Sequence, residues 1–506
     1  MISRHGREGL ILPGGILITC LLAVCALTPA ELPHAEFGAS AEARLARTVS
    51  EQEPIGASID LYEAIARALK YNLDHQVEIA EQAVRERELR VAHFSLLPNI
   101  VAGSGYAARD KVNASSSQNA LTGAPSLATS TSQDLKLRTA DVAFSWNILD
   151  FGLSYVRARQ AGDKVLIQQE LRRKITLRII EDVRAAYWRA ASAQRLLGQL
   201  ARVEAQARDV EREARALAAD KQTSPVTALT YEREVVEVQR TIGELQRELN
   251  SAHAQLAALM NVPPGIRFTV VAGERRIRPL PAAGMPQLVS FALSHRPELR
   301  EVGYRQRINE QEAHAALLEM LPGIQLVAGT NFDSNSFLLH HDWVNWGAKA
   351  TWNLLKVFSY PARRAVVEEQ DEMLKTRALA VTMSIMTQVY VSRIRYAHVV
   401  KEHRTVMRYR AVQRDLLAQI RAEATAGRVS RQTLVREELN AVVAEVKLDI
   451  AFATVQAAYA NMEASLGKEP FSELVAPDAK VREVAELLRR AQDGPVRTAS
   501  VATPTR

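Results

Sequence analysis

Three stretches of the chain place apolar residues at alternating spacings of three and four. One seam runs from Leu196 to Leu217, a second from Val235 to Leu259, and a third from Leu439 to Ala464. A heptad pattern persists for seven or eight steps only when a helix pairs along its whole length with another helix. The pattern therefore predicts long coiled-coil helices.

The placement of proline indicates how long these helices are. No proline occurs between Tyr155 and Asp220, or between Ala362 and Ala426. About 65 helical residues would span roughly 100 Å. Four further helical stretches, each about half as long, are expected near 60–96, 226–260, 286–320 and 430–466. Two half-length helices stacked end to end would match one long helix, which predicts a monomer of four parallel struts.

The chain is written twice. The string LLPN at 96–99 recurs as MLPG at 320–323, and WNIL at 146–149 recurs as WNLL at 352–355. Position 96 thus aligns with 320, and position 146 aligns with 352. The stretch from 96 to 146 is longer than the stretch from 320 to 352, so the first copy carries extra residues between its two motifs. Each unit of such a repeat usually buries its apolar surface against its copy.

Between the half-length helix and the long helix, each copy contains two short runs in which apolar and polar residues alternate. Each run has the length of a tilted membrane-spanning strand, and this alternation is typical of an outer-membrane barrel wall. A soluble hairpin at the end of a helical bundle would alternate in the same way. If the strands enter a membrane, several chains must share one barrel, because four strands cannot close a pore and lipid does not tolerate an open edge. The residues predicted to face lipid are Ile100, Val142, Phe144, Trp146, Ile324, Leu326, Trp346 and Trp352.

The charge pattern and the motifs exclude several classes of function. The net charge of +7 comes from 64 basic and 57 acidic residues interleaved along helices, which is typical of a solvated surface and not of a nucleic-acid interface. No HExxH, GxSxG, P-loop or dinucleotide motif occurs, so we expect no enzyme, no cofactor and no metal site. The N-terminal segment 1–30 is typical of an export signal and contains both cysteines. Cys25 is alternatively a candidate for lipid attachment.

From about residue 60 to 470, the chain resembles the TolC-type outer-membrane efflux channel family. The resemblance rests on the two LP-strand motifs, the two W-N-x-L strand-to-helix junctions, and the helical hairpin that follows each long helix. It implies a mainly α fold with a small membrane β-barrel contribution. Internally duplicated coiled-coil helices would form a trimeric α-barrel tunnel across the periplasm, and each chain would give four β-strands to a shared twelve-stranded barrel.

The repeat and the resemblance together predict the organisation of the chain. We expect a signal peptide at 1–30 and a flexible N-terminal segment at 31–57. Repeat 1 should cover 58–262 and repeat 2 should cover 286–470, joined by an equatorial linker at 263–285. A partly disordered tail should follow at 471–506.

The resemblance also implies a gate at the periplasmic tips of the two hairpins. Each tip in the family tends to read Gly-x-x-Ser/Thr-x-x-Asp. The second copy lacks the aspartate and has Thr433 in its place, and the first copy lacks both the glycine and the aspartate. A ring of three Arg436 guanidinium groups would favour anions. Alternatively, Arg436 pairs with Glu437 or Glu438 of an adjacent strut and contributes no field. The predicted tip residues are Gly427, Arg428, Ser430, Thr433 and Arg436 in the second copy, and Ser224 and Thr227 in the first.

The function that this resemblance implies is the exit duct of a tripartite efflux or secretion system. The expected partners are two further copies of the chain, a periplasmic adaptor protein, an inner-membrane transporter and outer-membrane lipid. The alternative is a periplasmic adaptor or a structural coiled-coil protein of an export system. An adaptor would have one hairpin and not two equivalent copies, and a structural coiled coil would not explain the strands. The cargo cannot be predicted from the sequence.

Overall fold

The structure, a computed structural model, describes residues 34–49, 52–126, 128–219, 224–263, 265–271, 273, 275–468 and 479–493. The predicted signal peptide lies outside these residues. Within the predicted flexible N-terminal segment, His34–Val49 form a helix, α1. The segment is rich in alanine, arginine and glutamate, all strong helix formers.

The two copies have helices of identical length, which confirms the duplication. Each copy contains helices of 11, 22, 72 and 35 residues in that order. A helix of 72 residues is about 110 Å long. In the first copy the helices are α2 (Leu61–Tyr71), α3 (Leu73–Phe94), α4 (Ile148–Ala219) and α5 (Pro225–Leu259); in the second they are α6 (Met285–His295), α7 (Pro297–Leu318), α8 (Leu354–Thr425) and α9 (Arg431–Ser465).

The predicted strands are β2 (Asn99–Ala108), β5 (Lys136–Asn147), β7 (Gly323–Asp333) and β8 (Asp342–Thr351). They form one antiparallel sheet in the order β2-β5-β7-β8. The extra residues of the first copy lie between β2 and β5, where the short strands β3 (Ala114–Ser115) and β4 (Ser130–Thr131) pair with each other. The longer copy therefore differs in a loop and not in a strut.

The helices form a layer of four struts. In the half next to the sheet, α4 packs between α3 and α7, and α7 packs against α8. In the half next to the hairpin tips, α4 packs between α5 and α9, and α9 packs against α8. The two long helices pass through both halves, so the predicted arrangement of stacked half-length helices beside long ones is confirmed.

The predicted seams are buried between these struts. Leu196, Leu200 and Ile242 are completely inaccessible to solvent, and Leu439 is nearly so. Gln246, which the heptad register places on an exposed face, instead donates a hydrogen bond of 2.9 Å from Nε2 to Glu204 on α4. The register is correct for the apolar residues, but the edge of the seam carries a polar contact between the two helices.

A group of short elements, here called the belt, packs against the middle of the struts. The strand β1 (Ser58–Ile59) pairs in parallel with β6 (Thr269–Val270), which lies in the predicted equatorial linker. The Gln194 side chain of α4 accepts a hydrogen bond of 2.7 Å from the backbone N–H of Val270. Within the predicted partly disordered tail, Val481–Asp493 form helix α10, whose Arg489 pairs with Asp60. This helix is ordered because Val484 and Leu488 are buried in the core.

In each W-N-x-L motif, the asparagine side chain caps the first turn of the long helix. Asn147 Oδ1 accepts the backbone N–H of Leu149 at 3.0 Å, and Asn353 Oδ1 accepts that of Leu355 at 3.2 Å. A short polar side chain in this position satisfies a donor that the first turn of a helix leaves free. The repeated motif therefore fixes the point where each long helix begins.

Candidate functional site

The residues predicted to face lipid share one face of the sheet. The register places Ile100 opposite Phe144, Trp146 opposite Leu326, and Ala328 opposite Trp346. Directly paired residues of an antiparallel sheet point to the same side, and so do residues two apart along a strand. Seven of the eight predicted residues therefore occupy a single apolar face, namely Ile100, Val142, Phe144, Trp146, Ile324, Leu326 and Trp346.

The opposite face of the sheet is polar and closely packed. Asn331 of β7 donates a hydrogen bond of 2.6 Å to Asn345 of the adjacent strand β8. All five glycines of the four strands lie on this face: Gly103, Gly105, Gly323, Gly329 and Gly347. A Cβ atom at Gly103 would lie 2.5 Å from Asp141 Oδ1. The sheet thus has the two-sided character that a barrel wall between lipid and water requires.

Trp352 lies just beyond the sheet. It follows the last residue of β8, and its indole Nε1 donates a hydrogen bond of 2.9 Å to the carbonyl of Met320, just after the end of α7. The next residue, Asn353, caps the long helix α8. Trp352 therefore ties the strand exit to the end of α7, and its contact with lipid stays a prediction.

The tip of the second hairpin is a tight turn built by the predicted residues. Gly427 has φ of +70°, and the backbone N–H of Arg428 donates to the carbonyl of Glu423 at 2.9 Å. This is the helix ending that glycine favours, because a side chain in the left-handed region is strained. Ser430 then caps α9, accepting the N–H of Thr433 at 3.2 Å. Four of the five predicted tip residues are thus close in space, with Arg428 exposed at the apex.

The tip of the first hairpin is built differently. Its helix α5 begins with Pro225, and Ser224 precedes it without a capping hydrogen bond from its side chain. Thr227 lies in the first turn of the same helix. Proline suits this position because it lacks the N–H that a first turn leaves unpaired. Both copies therefore have serine at the cap position, but only Ser430 caps its helix with a side-chain hydrogen bond, whereas the first copy relies on proline at the next position.

Arg436 forms an ion pair within its own chain. Its Nε lies 3.3 Å from Glu437 Oε1, and Glu437 also accepts a hydrogen bond of 3.3 Å from the Asn440 amide. The Arg436 side chain is 42% exposed while the Glu437 side chain is 10% exposed. This contact balances part of the guanidinium charge. The acid belongs to the same helix, so a pair between Arg436 and an acid of an adjacent strut stays a prediction.

One feature of the tips escaped the sequence analysis. Arg215 Nε lies 3.3 Å from Glu232 across the first hairpin, and Arg421 Nη2 lies 2.8 Å from Glu438 across the second. The two pairs occupy equivalent positions when the W-N-x-L motifs of the copies are aligned. An arginine and a glutamate at the same two positions of both copies could have indicated this ion pair from the sequence. The same cross-hairpin ion pair therefore joins the two helices above each tip.

A buried carboxylate joins the two hairpins near the belt. Asp449 of α9 is completely buried and accepts a hydrogen bond of 2.8 Å from Arg195 Nε of α4. Arg275, from the equatorial linker, lies 2.6 Å from its other oxygen. Burial, followed by the positive charge of Arg275, lowers the pKa of the neighbouring His403. The lowered pKa favours the neutral form of His403, so the positive charge of this junction comes from the two arginines.

We compared the chain with known proteins on this basis. No family model matches the chain, and no curated protein matches it. Among solved structures, the CusC channel superposes with a TM-score of 0.62 at 17% identity, covering 83% of this chain and 96% of CusC. The outer-membrane channel CmeC of Campylobacter jejuni gives 0.63 at 12% identity, covering 84% and 89%. The open state of the outer-membrane channel MtrE of Neisseria gonorrhoeae gives 0.62 at 16% identity, covering 80% and 88%.

The chain has the fold of these outer-membrane channels. The superposition extends over most of both chains, so it includes the duplicated struts together with the sheet. The fold that the resemblance to TolC-type channels implied is therefore confirmed for the single chain. Within the described residues, no helix combines the length and the apolar character needed to cross a bilayer.

Proposed function

We propose that the protein is a trimeric outer-membrane channel-tunnel, the exit duct of a tripartite efflux or secretion system. The observation that carries the proposal is the sheet. One of its faces is apolar and the other is polar, and its edge strands β2 and β8 have no partner among the described residues. A four-stranded sheet with open edges cannot stand in lipid, so further copies must complete the barrel.

The helical layer supports the same assembly. Four struts of about 110 Å continue from the sheet, and three copies would place twelve struts around one axis. The hairpin tips then lie at the end of the tunnel away from the membrane, where a periplasmic adaptor and an inner-membrane transporter would deliver cargo. The alternative functions, those of a periplasmic adaptor or a structural coiled-coil protein, would not explain a sheet with one apolar face.

The test is a conductance measurement combined with fractionation. The full-length protein should be recovered from the outer-membrane fraction as a heat-modifiable trimer. When added to a planar lipid bilayer, it should give discrete conductance steps. A soluble monomeric protein that gives no steps would refute the proposal in favour of the periplasmic alternative.

The tips provide a separate test of the adaptor. A photo-crosslinking residue at Arg428, which is exposed at the apex of the second hairpin, should capture a periplasmic protein. The same residue at Arg482, 91% exposed on α10, is the matched control and should not capture it. Equal capture from both positions would remove the tips from the docking surface.

A further inference from the structure

The duplication produces two kinds of contact between neighbouring struts and strands. The first kind lies within a copy and occurs twice. The strand pair β2·β5 of the first copy recurs as β7·β8 of the second, with the same register, so that Ala102 opposite Val142 becomes Leu326 opposite Ala348. The helix pair α3·α4 likewise recurs as α7·α8. Equivalent residues therefore make equivalent contacts in both copies.

The second kind of contact joins the two copies, and the described residues of one chain contain it only once. It consists of β5·β7 in the sheet, α4·α7 in the half of the struts next to the sheet, and α4·α9 in the half next to the tips. Its repeat equivalent would pair β8 with β2, α8 with α3, and α8 with α5. These elements form the opposite edges of one chain, separated by two strands and two struts, so this second contact requires another copy.

Residues at equivalent repeat positions are buried in the contact that exists and exposed at the edges. Ala315 of α7 is completely buried, whereas its equivalent Val91 of α3 is 65% exposed. Gln160 of α4 is 4% exposed, whereas its equivalent Val366 of α8 is 57% exposed. The edge of α3 also carries a shallow, open and largely apolar surface formed by Ala80, Ala83, Val84, Arg87, Glu88 and Val91.

The apolar residues of each edge continue the coiled-coil spacing. On α3, Leu73, Val77, Val84 and Val91 are each more than half exposed; on α8, so are Val366, Met373 and Met383. Exposed apolar rows of this length mark a surface that another chain covers. Because α3 and α8 run in opposite directions in this scheme, Val84 would meet α8 near Met373 and Val366.

The charges on the two edges are complementary. Inside the chain, Gln311 Nε2 of α7 donates a hydrogen bond of 3.0 Å to Asp163 Oδ2 of α4. The repeat equivalents of Asp163 and Gln311 are Glu369 of α8 and Arg87 of α3, an acid and a base. Both are exposed, and no ion pair to either occurs in the part of the chain that the structure describes. A buried hydrogen bond within the chain thus corresponds to an ion pair between chains.

We propose that α8 and β8 of one copy pack against α3 and β2 of a second copy, in the register that repeats the α4·α7 and β5·β7 contacts. Glu369 of the first copy then pairs with Arg87 of the second copy, and Val366 of the first copy lies against Val84 of the second copy. In the sheet, Ala348 lies opposite Tyr106 of the second copy. The inference rests on the proposed trimer and specifies which surfaces and residues form its interface.

Charge reversal tests this register. The single substitutions Arg87→Glu and Glu369→Arg should each lower the trimer fraction by about tenfold, because like charges then face each other at all three interfaces. The double substitution Arg87→Glu with Glu369→Arg should restore the trimer. The matched control is Arg87→Glu with Glu368→Arg, which makes the same charge change one residue away, at a position that faces Arg364 of its own helix. This control should not restore the trimer.

A photo-crosslink gives an independent measurement that does not depend on destabilising the protein. With p-benzoylphenylalanine at Val84, the crosslinked peptide of the second copy should contain Val366 or Met373. A trimer that crosslinks elsewhere, or that the double reversal fails to restore, would overturn the register while leaving the proposed channel in place. A wild-type protein that forms no oligomer would instead overturn the proposed function.

Discussion

The apolar face of the sheet can be tested at the centre of a strand. Val142 lies near the middle of β5, on the apolar face and 48% exposed, and its neighbour Ala143 lies on the polar face. If the apolar face contacts lipid, arginine at Val142 would be placed near the middle of the membrane. There it costs about 2–4 kcal/mol, which is a factor of at least about 30 in the insertion equilibrium of each chain.

The comparison is between Val142→Arg and Ala143→Arg, two substitutions of the same chemistry one residue apart. The assay is the yield of heat-modifiable trimer in the outer-membrane fraction, with helix content measured by circular dichroism to show that both variants fold. Val142→Arg should nearly abolish the trimer. Ala143→Arg should leave most of it, since its side chain points to the water-filled side. Equal yields from the two variants would show that the sheet does not separate lipid from water.

Three further predictions concern the tips and the junction between the hairpins. Ser430→Ala should destabilise the second hairpin by about 1 kcal/mol through loss of a helix cap. Ser224→Ala, at a position without a capping hydrogen bond, should have little effect on the temperature of trimer dissociation. Asp449→Ala removes the buried partner of two partly exposed arginines and should cost about 1–3 kcal/mol, because water can solvate the guanidinium groups that remain. Asp415→Ala, at a side chain 77% exposed, should cost almost nothing in the same measurement. Arg436→Gln should shift the reversal potential under a salt gradient toward cation preference, and an unchanged potential would remove Arg436 from the gate.

The architecture could be predicted from the sequence because the repeat is visible in it. The two motif alignments located the strands, the long helices and the loop that makes the first copy longer, and the sheet register preserves both alignments. The alternation around Val142 and Trp346 then identified the apolar face, since side-chain direction in a strand has a period of two. Periodic patterns of this kind can be recognised in a sequence when the tertiary contacts are not known.

Contacts between distant segments could not be predicted in the same way. The ion pair between Arg215 and Glu232 depends on how two helices align across a turn, which the heptad pattern restricts but does not fix. The hydrogen bond from Gln246 to Glu204 arises because the edge of a coiled-coil seam is only partly buried. The end of β8 one residue before Trp352 could not be predicted either, because the capping residue Asn353 sets it and not the alternation.

In the proposed trimer, the position of the open edges would couple assembly to membrane insertion. The unpaired strands β2 and β8 lie at the same two edges of the chain as the exposed rows of α3 and α8. When one copy docks on another, the contact would therefore cover the exposed apolar rows of α3 and α8. It would also pair the backbone N–H and C=O groups of β2 and β8. A chain that pairs only its helices would leave a strand edge open to lipid, and a chain that pairs only its strands would leave Val84 and Met373 in water. The duplication thus favours a closure in which the strand edges and the helix rows of the proposed ring are covered together.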